Sequence, residues 1–189
     1  MDRRLRLFVA VELGDELRQR VRDVADAARL CRFRRVPAEQ LHLTLRFLGF
    51  VATARLGEVD AALGRASAPR TPFTVEVGGG GIFGPPEHPQ VAWVGVQDPR
   101  GALLALVRSV EDELAALGFP REERPYHPHL TLGRAQGGAS LDLPARSATP
   151  SLGALPVGEL VLFESEPSAE GSRYTALARL PLGAGALPR

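Results

Sequence analysis

The tetrapeptide His-Leu-Thr-Leu occurs twice in the chain, at His42 to Leu45 and again at His129 to Leu132. In an extended strand successive side chains alternate faces, so His42 and Thr44 share one side while Leu41, Leu43 and Leu45 share the other. His129 and Thr131 repeat the arrangement, with Leu130 and Leu132 opposite. The leucines can anchor each strand in a core while an imidazole and a hydroxyl project together from the sheet. Two such strands brought side by side supply two histidines and two threonine hydroxyls to one cleft, a constellation suited to in-line displacement at phosphorus. That reaction needs a base to deprotonate the attacking water and an acid on the opposite side to protonate the departing oxygen. Imidazole, with an unperturbed pKa of about 6.5, does both near neutral pH. The hydroxyls can donate to the non-bridging oxygens, where charge is held in the transition state. Arg134, just beyond the second motif, can add a positive charge there.

From typical residue usage, a second copy of a given tetrapeptide containing His is expected by chance roughly one time in a thousand. The repeat therefore points to a duplicated unit, a motif strand near a long amphipathic helix. Leu5 to Glu12 reads as a strand, and Gly14-Asp15-Glu16 opens a helix with apolar residues at Leu17, Val21, Val24, Ala28 and Leu30. Leu41 to Leu48 is a second strand, followed after Thr53 by a helix through Leu56, Val59 and Leu63 that ends near Pro69. Phe73 to Val77 and Val91 to Gln97 read as a hairpin whose long tip holds Gly78 to Gly81 and Gly84-Pro85-Pro86. A helix is expected from Pro99, through Leu103, Leu106, Val107, Val110, Leu114 and Leu117, to Gly118-Phe119-Pro120. His129 to Arg134, Leu160 to Glu164 and Tyr174 to Leu180 are further strands, the first separated from the others by a Gly, Ser and Pro-rich connection. Strands interleaved with helices and hairpin-like pairs indicate a mixed α/β or α+β fold rather than a doubly wound parallel sheet.

With 189 residues, 44% of them hydrophobic, the chain can bury one good core. We expect a single domain over residues 1–182 and a disordered tail over 183–189. Its 23 Lys+Arg against 22 Asp+Glu lack the basic excess of a protein that coats nucleic acid, so any polyanion must be met locally. The lone Cys31 excludes an internal disulfide and a multi-cysteine zinc site, fits a reducing cytoplasm, and reads as a small buried or half-buried side chain. The first apolar stretch, about seven residues, is too short to span a membrane and has no small-residue cleavage site, so a soluble, unprocessed cytoplasmic protein is expected.

The paired His-Leu-Thr-Leu segments resemble the motifs of the two-histidine (2H) phosphoesterase superfamily, and within it the bacterial and archaeal RNA 2′,3′-cyclic phosphodiesterases, also called 2′-5′ RNA ligases. The resemblance extends through Leu5 to Ala10, Val36 to Glu39, Val91 to Val96, Pro125 to His129 and Ser172 to Tyr174, nearly the whole chain except the tail. Two positions depart from it: Arg35 stands where an aromatic residue often precedes Val-Pro, and Gln40 where Asn is common. The resemblance implies an α+β fold of two pseudo-symmetric lobes of mainly antiparallel sheet, with flanking helices around a central cleft. It implies His42 and His129 as catalytic residues, and Thr44, Thr131, Arg134, His127 and Tyr126 as substrate contacts. The expected substrates are RNA ends or nucleotides bearing a 2′,3′-cyclic phosphate, with no metal, no other cofactor, no membrane and a monomeric chain. Water attacks, the 3′ oxygen leaves and a 2′-phosphomonoester forms; the reverse reaction would join a cyclic end to a 5′-hydroxyl in a 2′-5′ linkage. The near-identity of the motifs leaves acid and base unassigned, with His129 as base the preferred reading.

Other readings stay open from sequence alone. A single strand histidine is more often structural than catalytic, and imidazoles and threonines can grip phosphate in a non-catalytic RNA-end binding module. His127-Pro128-His129 has the H-x-H spacing of a metal site, although no carboxylate or third histidine is close in sequence. Gly78 to Gly81 lacks the Gly-Lys-Ser/Thr ending of a P-loop and is expected to be a flexible hairpin loop. Arg29, Arg32, Arg34 and Arg35 form a basic cluster near the end of the first helix, equally a solvated helix end or an RNA contact. Of Phe8, Phe47, Trp93 and Tyr126, one or two are candidates for stacking on a base, and His88 is a surface loop residue.

Overall fold

The computed structural model describes residues 3–28, 30–140, 151–168 and 171–184. Its strands are β1 (Arg4–Glu12), β2 (Cys31–Arg35), β3 (His42–Ala52), β4 (Phe73–Phe83), β5 (Val91–Gln97), β6 (His129–Ser140), β7 (Gly153–Val157), β8 (Glu159–Ser168) and β9 (Gly171–Pro181). Three α-helices intervene: α1 (Asp15–Ala27), α2 (Leu56–Ser67) and α3 (Ala102–Ala116). Among the described residues the strands form one sheet of order β7-β4-β5-β6-β3-β1-β8-β9, with β2 also on β6, and every pairing is antiparallel. This is an α+β architecture of two lobes. A pseudo-dyad between β3 and β6 relates β3 to β6, β1 to β5 and β8 to β4.

Alternation along β1 shows how the sheet acquires two faces. Leu5, Leu7, Val9 and Val11 point into the main core, whereas Phe8 and Ala10 join Val161 and Phe163 in a smaller cluster on the other side. The main core lies under the helices, whose apolar residues recur at three- and four-residue steps: Leu17, Val21 and Ala25 on α1, Val59, Ala62, Leu63 and Ala66 on α2, and Leu103, Leu106, Val107, Val110 and Leu114 on α3. α1 covers β6 and β7, while α2 and α3 pack together over β3, β8 and β9. The opposite, concave face of the sheet carries the motif histidines.

Several expectations change. Gly78 to Gly81 is not a hairpin loop; these residues continue β4, and the turn comes only after Phe83. Glycine is needed there for closeness: a Cβ at Gly81 would collide with the Trp93 indole, and one at Gly95 would stand 2.9 Å from the Gly78 carbonyl oxygen. A register shift between Val77 and Gly80 marks a bulge, with Gly79 at φ 71°. Arg32, Arg34 and Arg35 do not end a helix but lie on β2, which extends the pairing of β6 past the start of β3; Arg29 is outside the described residues. Cys31 is exposed rather than buried, because it begins that short edge strand. The third helix begins at Ala102, after a turn through Pro99 to Gly101, and the Asp98 carboxylate accepts the Leu104 N–H at 3.0 Å. β7 was not expected at all; it lies in the Gly, Ser and Pro-rich connection, of which residues 141–150 are outside the described residues. Of the expected tail, Gly183 and Ala184 belong to a turn and 185–189 are outside the described residues. His88 is exposed in a bend.

Only one residue pair, Leu43 with Leu130, joins β3 to β6, and neither side chain has any exposure. Replacing either by alanine is expected to destabilise the fold by about 2–5 kcal/mol, the range for truncating a buried leucine. Because the two are cross-strand partners, the double variant should cost less than the sum. Urea denaturation at constant m-value measures both; single losses below about 1 kcal/mol would show that this contact does not hold the lobes together.

Candidate active site

The Leu43–Leu130 register fixes what stands across the dyad. Continued one residue in each antiparallel direction, it sets His42 opposite Thr131 and Thr44 opposite His129. Directly opposed strand residues have Cβ atoms about 4.5–5.5 Å apart. Since both leucines face the helices, all four polar residues face the concave side. The duplicated motif thus closes on itself, each imidazole beside the hydroxyl of the other copy.

Each ring is oriented by the same local device. Nδ1 of His42 lies 2.7 Å from the Gln40 carbonyl oxygen, and Nδ1 of His129 lies 2.7 Å from that of His127. A carbonyl oxygen only accepts, so Nδ1 carries the proton and donates it, and Nε2 is left for chemistry. The first carbonyl is presented by the short 3₁₀ turn Ala38–Gln40, the second by the extended segment Pro125 to Pro128. Aromatic rings pack each imidazole: Phe8 at 4.9 Å and Tyr174 at 5.4 Å around His42, Phe83 at 4.8 Å and Trp93 at 6.4 Å around His129.

Burial therefore holds both imidazoles below their ordinary pKa. For His42 the carbonyl bond to Gln40 opposes that shift, the positive fields of Arg134 and His129 add to it, and Glu12 opposes it. For His129 the bond to His127 opposes the shift, and the fields of His127 and Arg134 add to it. Arg134 is the cation common to both. A bound phosphate would oppose that shift, because a negative charge nearby favours the protonated ring.

A cleft of about 480 Å³ opens on this face, lined among others by His42, Thr44, Thr131 and Arg134. His129 is not part of that lining; it stands across the dyad against the Phe83 ring. His127 is exposed and packs on Trp93 at 4.9 Å. The Tyr126 hydroxyl, which burial keeps protonated, donates to the Thr44 carbonyl at 2.9 Å and ties the approach of the second motif to the strand of the first. Arg46 ties the same strand to α3 through Glu111 at 2.6 Å. Among the described residues no three His, Cys, Asp or Glu side chains gather in a way that could hold a metal ion.

The cleft also holds Arg6 and Ser165, which were not singled out from sequence, together with Arg34, Phe8, Phe47, Ser172 and Tyr174, which were named there as a basic cluster member, stacking candidates or part of the resemblance. Among the described residues no aspartate or glutamate lines it. Arg35 is matched with Asp26 and Arg173 with Glu166, whereas among the described residues the cleft arginines Arg6, Arg34 and Arg134, like Arg4 and Arg32 outside it, have no carboxylate partner. Arg34 and Arg134 are cross-strand partners, an unfavourable placement for like charges that an anion would relieve. The alternation from Phe8 to Arg6 on β1 was the available signal for Arg6. Ser165 and Ser172 are brought in by the β8–β9 pairing and leave no local pattern.

The motif positions diverge in one informative way. A bulge follows each Thr, at Leu45 opposite β1 and at Leu132 opposite β5, so that Phe47 and Arg134 occupy equivalent places on the concave face. One copy offers an aromatic surface and the other a cation.

Similarities to known proteins accord with this geometry. The pattern of the 2′-5′ RNA ligase superfamily matches residues 12–167, which contain both motifs. The RNA 2′,3′-cyclic phosphodiesterase of Methanothermobacter thermautotrophicus is 33% identical over 178 residues, covering 91% of this chain and 96% of that protein. That of Escherichia coli is 30% identical over 182 residues, covering 94% and 96%. The crystal structure of E. coli LigT complexed with 3′-AMP superposes with a TM-score of 0.80 at 29% identity, covering 95% of this chain and 99% of that one. With the match running through both halves of the duplicated cleft, the chain belongs to the 2′-5′ RNA ligase superfamily.

Proposed function

We propose that the chain is an RNA 2′,3′-cyclic phosphodiesterase that opens a terminal 2′,3′-cyclic phosphate to a 2′-phosphomonoester. The observation that carries this reading is the dyad-related placement of two imidazoles with Nδ1 held by carbonyls, each beside a threonine across the Leu43–Leu130 pair. Curated relatives of similar length are named for this activity, and E. coli LigT has been crystallised with 3′-AMP.

One Nε2 accepts a proton from water as its oxygen bonds to phosphorus. The P–O3′ bond breaks with inversion, and the other Nε2–H protonates the 3′ oxygen. Thr44 and Thr131 donate to the non-bridging oxygens, and the Arg134 guanidinium offsets their charge. His127 borders the site from the second lobe, and Tyr126 acts through its bond to the Thr44 strand. We retain the preferred reading of His129 as base and His42 as acid. Thr131 and Arg134 from the second half line the same cleft as His42 and Thr44 from the first, so a single chain suffices. The same steps in reverse join a cyclic end to a 5′-hydroxyl as a 2′-5′ linkage. Among the described residues no helix is long and apolar enough to cross a membrane.

The direct test is turnover of a nucleoside 2′,3′-cyclic phosphate in EDTA, with identification of the monophosphate isomer formed. A 3′-phosphate product or loss of activity on chelation would refute this chemistry. His42→Ala and His129→Ala should each lower turnover by at least ~10²-fold, the low end for general acid–base catalysis. Binding without turnover in the wild-type protein would leave only an RNA-end binding module.

The pH profile should be bell-shaped, since one imidazole must start neutral and the other protonated. Burial lowers both rings in the free protein, whereas the phosphate of bound substrate raises them. The limbs of kcat should therefore lie at higher pH than those of kcat/KM; coincident limbs, or a monotonic alkaline rise, would contradict the assignment.

Thr44→Val and Thr131→Val preserve shape and strand preference but remove a hydroxyl. Each should lower kcat more than it changes binding, by up to the ~10²–10³-fold of a single oxyanion donor. Arg134→Lys keeps the charge and loses the planar fork, so a bidentate phosphate contact would weaken. Unchanged kinetics in all three would remove these residues from the site.

A further inference from the structure

Phe47 is 51% exposed and Phe50 66% exposed, large apolar side chains standing three residues apart on β3. Residues so spaced in a regular strand face opposite ways. Here an extra residue, Leu48, is inserted between the pairs Leu7–Gly49 and Phe8–Phe47, and Gly49 takes φ 72°, which glycine adopts without strain. Leu48 packs against the main core, and Phe50 returns to the concave face opposite Arg6. Arg6 is two residues from Phe8, lines the cleft, and has no carboxylate partner among the described residues. His42, Thr44, Phe47 and Phe50 thus form one row leading out of the catalytic cleft, with a cation beside its outer end.

We propose that this row is a subsite for the nucleotide preceding the cyclic end. The penultimate base stacks on Phe50, and the phosphate joining it to the terminal nucleotide meets Arg6, so the preferred substrate is a single-stranded RNA chain rather than a free mononucleotide. The inference rests on the phosphodiesterase reading of the cleft. Three residues along a strand span roughly 7–10 Å, within reach of two successive nucleotides of an extended chain. Stacking on a phenyl ring tolerates any base, because every base presents a π-face. Exposed apolar pairs also mark contacts between proteins. The cation beside Phe50, the lack of a carboxylate among the described residues that line the cleft, and continuity with the phosphate site favour a polyanion that carries planar bases.

The test compares kcat/KM for a nucleoside 2′,3′-cyclic phosphate and for a tetraribonucleotide with the same cyclic end. Phe50→Leu keeps an apolar side chain and removes the ring, whereas Phe50→Trp keeps a ring. The expected result is that the wild type prefers the tetranucleotide, that Phe50→Leu loses about five- to 150-fold on it, the span for one base–aromatic stack, with the mononucleotide unaffected, and that Phe50→Trp retains the preference. Equal behaviour of Phe50→Leu and wild type, or an equal loss on both substrates, overturns the subsite. If the wild type turns over neither substrate, the phosphodiesterase reading fails, and fluorescence anisotropy with a labelled tetraribonucleotide 2′-phosphate still decides the subsite. Weaker binding by Phe50→Leu then supports it, and unchanged binding overturns it. Loss of a concentration-dependent dimer in Phe50→Leu, with RNA kinetics unchanged, assigns the face to a second copy of the chain and also overturns it.

Discussion

Where β3 meets β6 they touch through Leu43 and Leu130, both fully buried, and the polar groups of the cleft take their positions from that contact. A one-residue slip would reverse every side chain, sending the histidines into the helix-covered core and the leucines into water. The leucines between the polar residues therefore decide which side of the sheet the motif histidines and threonines occupy. Hydrophobic burial, a non-directional force, here acquires direction from the period of the strand.

A second layer of constraint is electrostatic. Burial favours neutral imidazoles, and the field of Arg134 pushes both the same way. Arg34 faces Arg134 across β2 and β6, and among the described residues no carboxylate lines the cleft to relieve them. These unfavourable placements share one remedy, an anion among them. An anion bound there would favour the protonated form of either imidazole.

Much of this was legible in the residues, because a period-two pattern read twice needs no knowledge of what lies between. The helices and the motif strands followed from apolar spacing in the same way. What escaped was set by contacts distant in sequence. Gly78 to Gly81 has a loop-like composition, yet its glycines make room for Trp93 on the neighbouring strand. Arg32, Arg34 and Arg35 have the charge of a solvated segment and lie in β2 because β6 outruns β3 and offers an unfilled edge. Ser165 and Ser172 reach the cleft through the β8–β9 pairing, and Phe50 faces it only because Leu48 bulges. Tyr126, expected to contact substrate, directs its hydroxyl to the backbone of Thr44.

The path of the chain through the two lobes has a consequence for how such a molecule could arise. α1 leaves the first half to cover β6 and β7, and α3 leaves the second to pack on β3. β4 crosses to pair with β5, and β8 returns to pair with β1. Each half lends the other a strand and a helix, so neither could close a core of its own. Two copies of an ancestral half-length polypeptide, exchanging those elements, would have enclosed the same dyad and presented the same pair of histidines. Gene fusion would then have freed the halves to diverge, with Phe47 in one copy and Arg134 in the other as the mark of that freedom: a symmetric cradle made to hold a molecule that has two different ends.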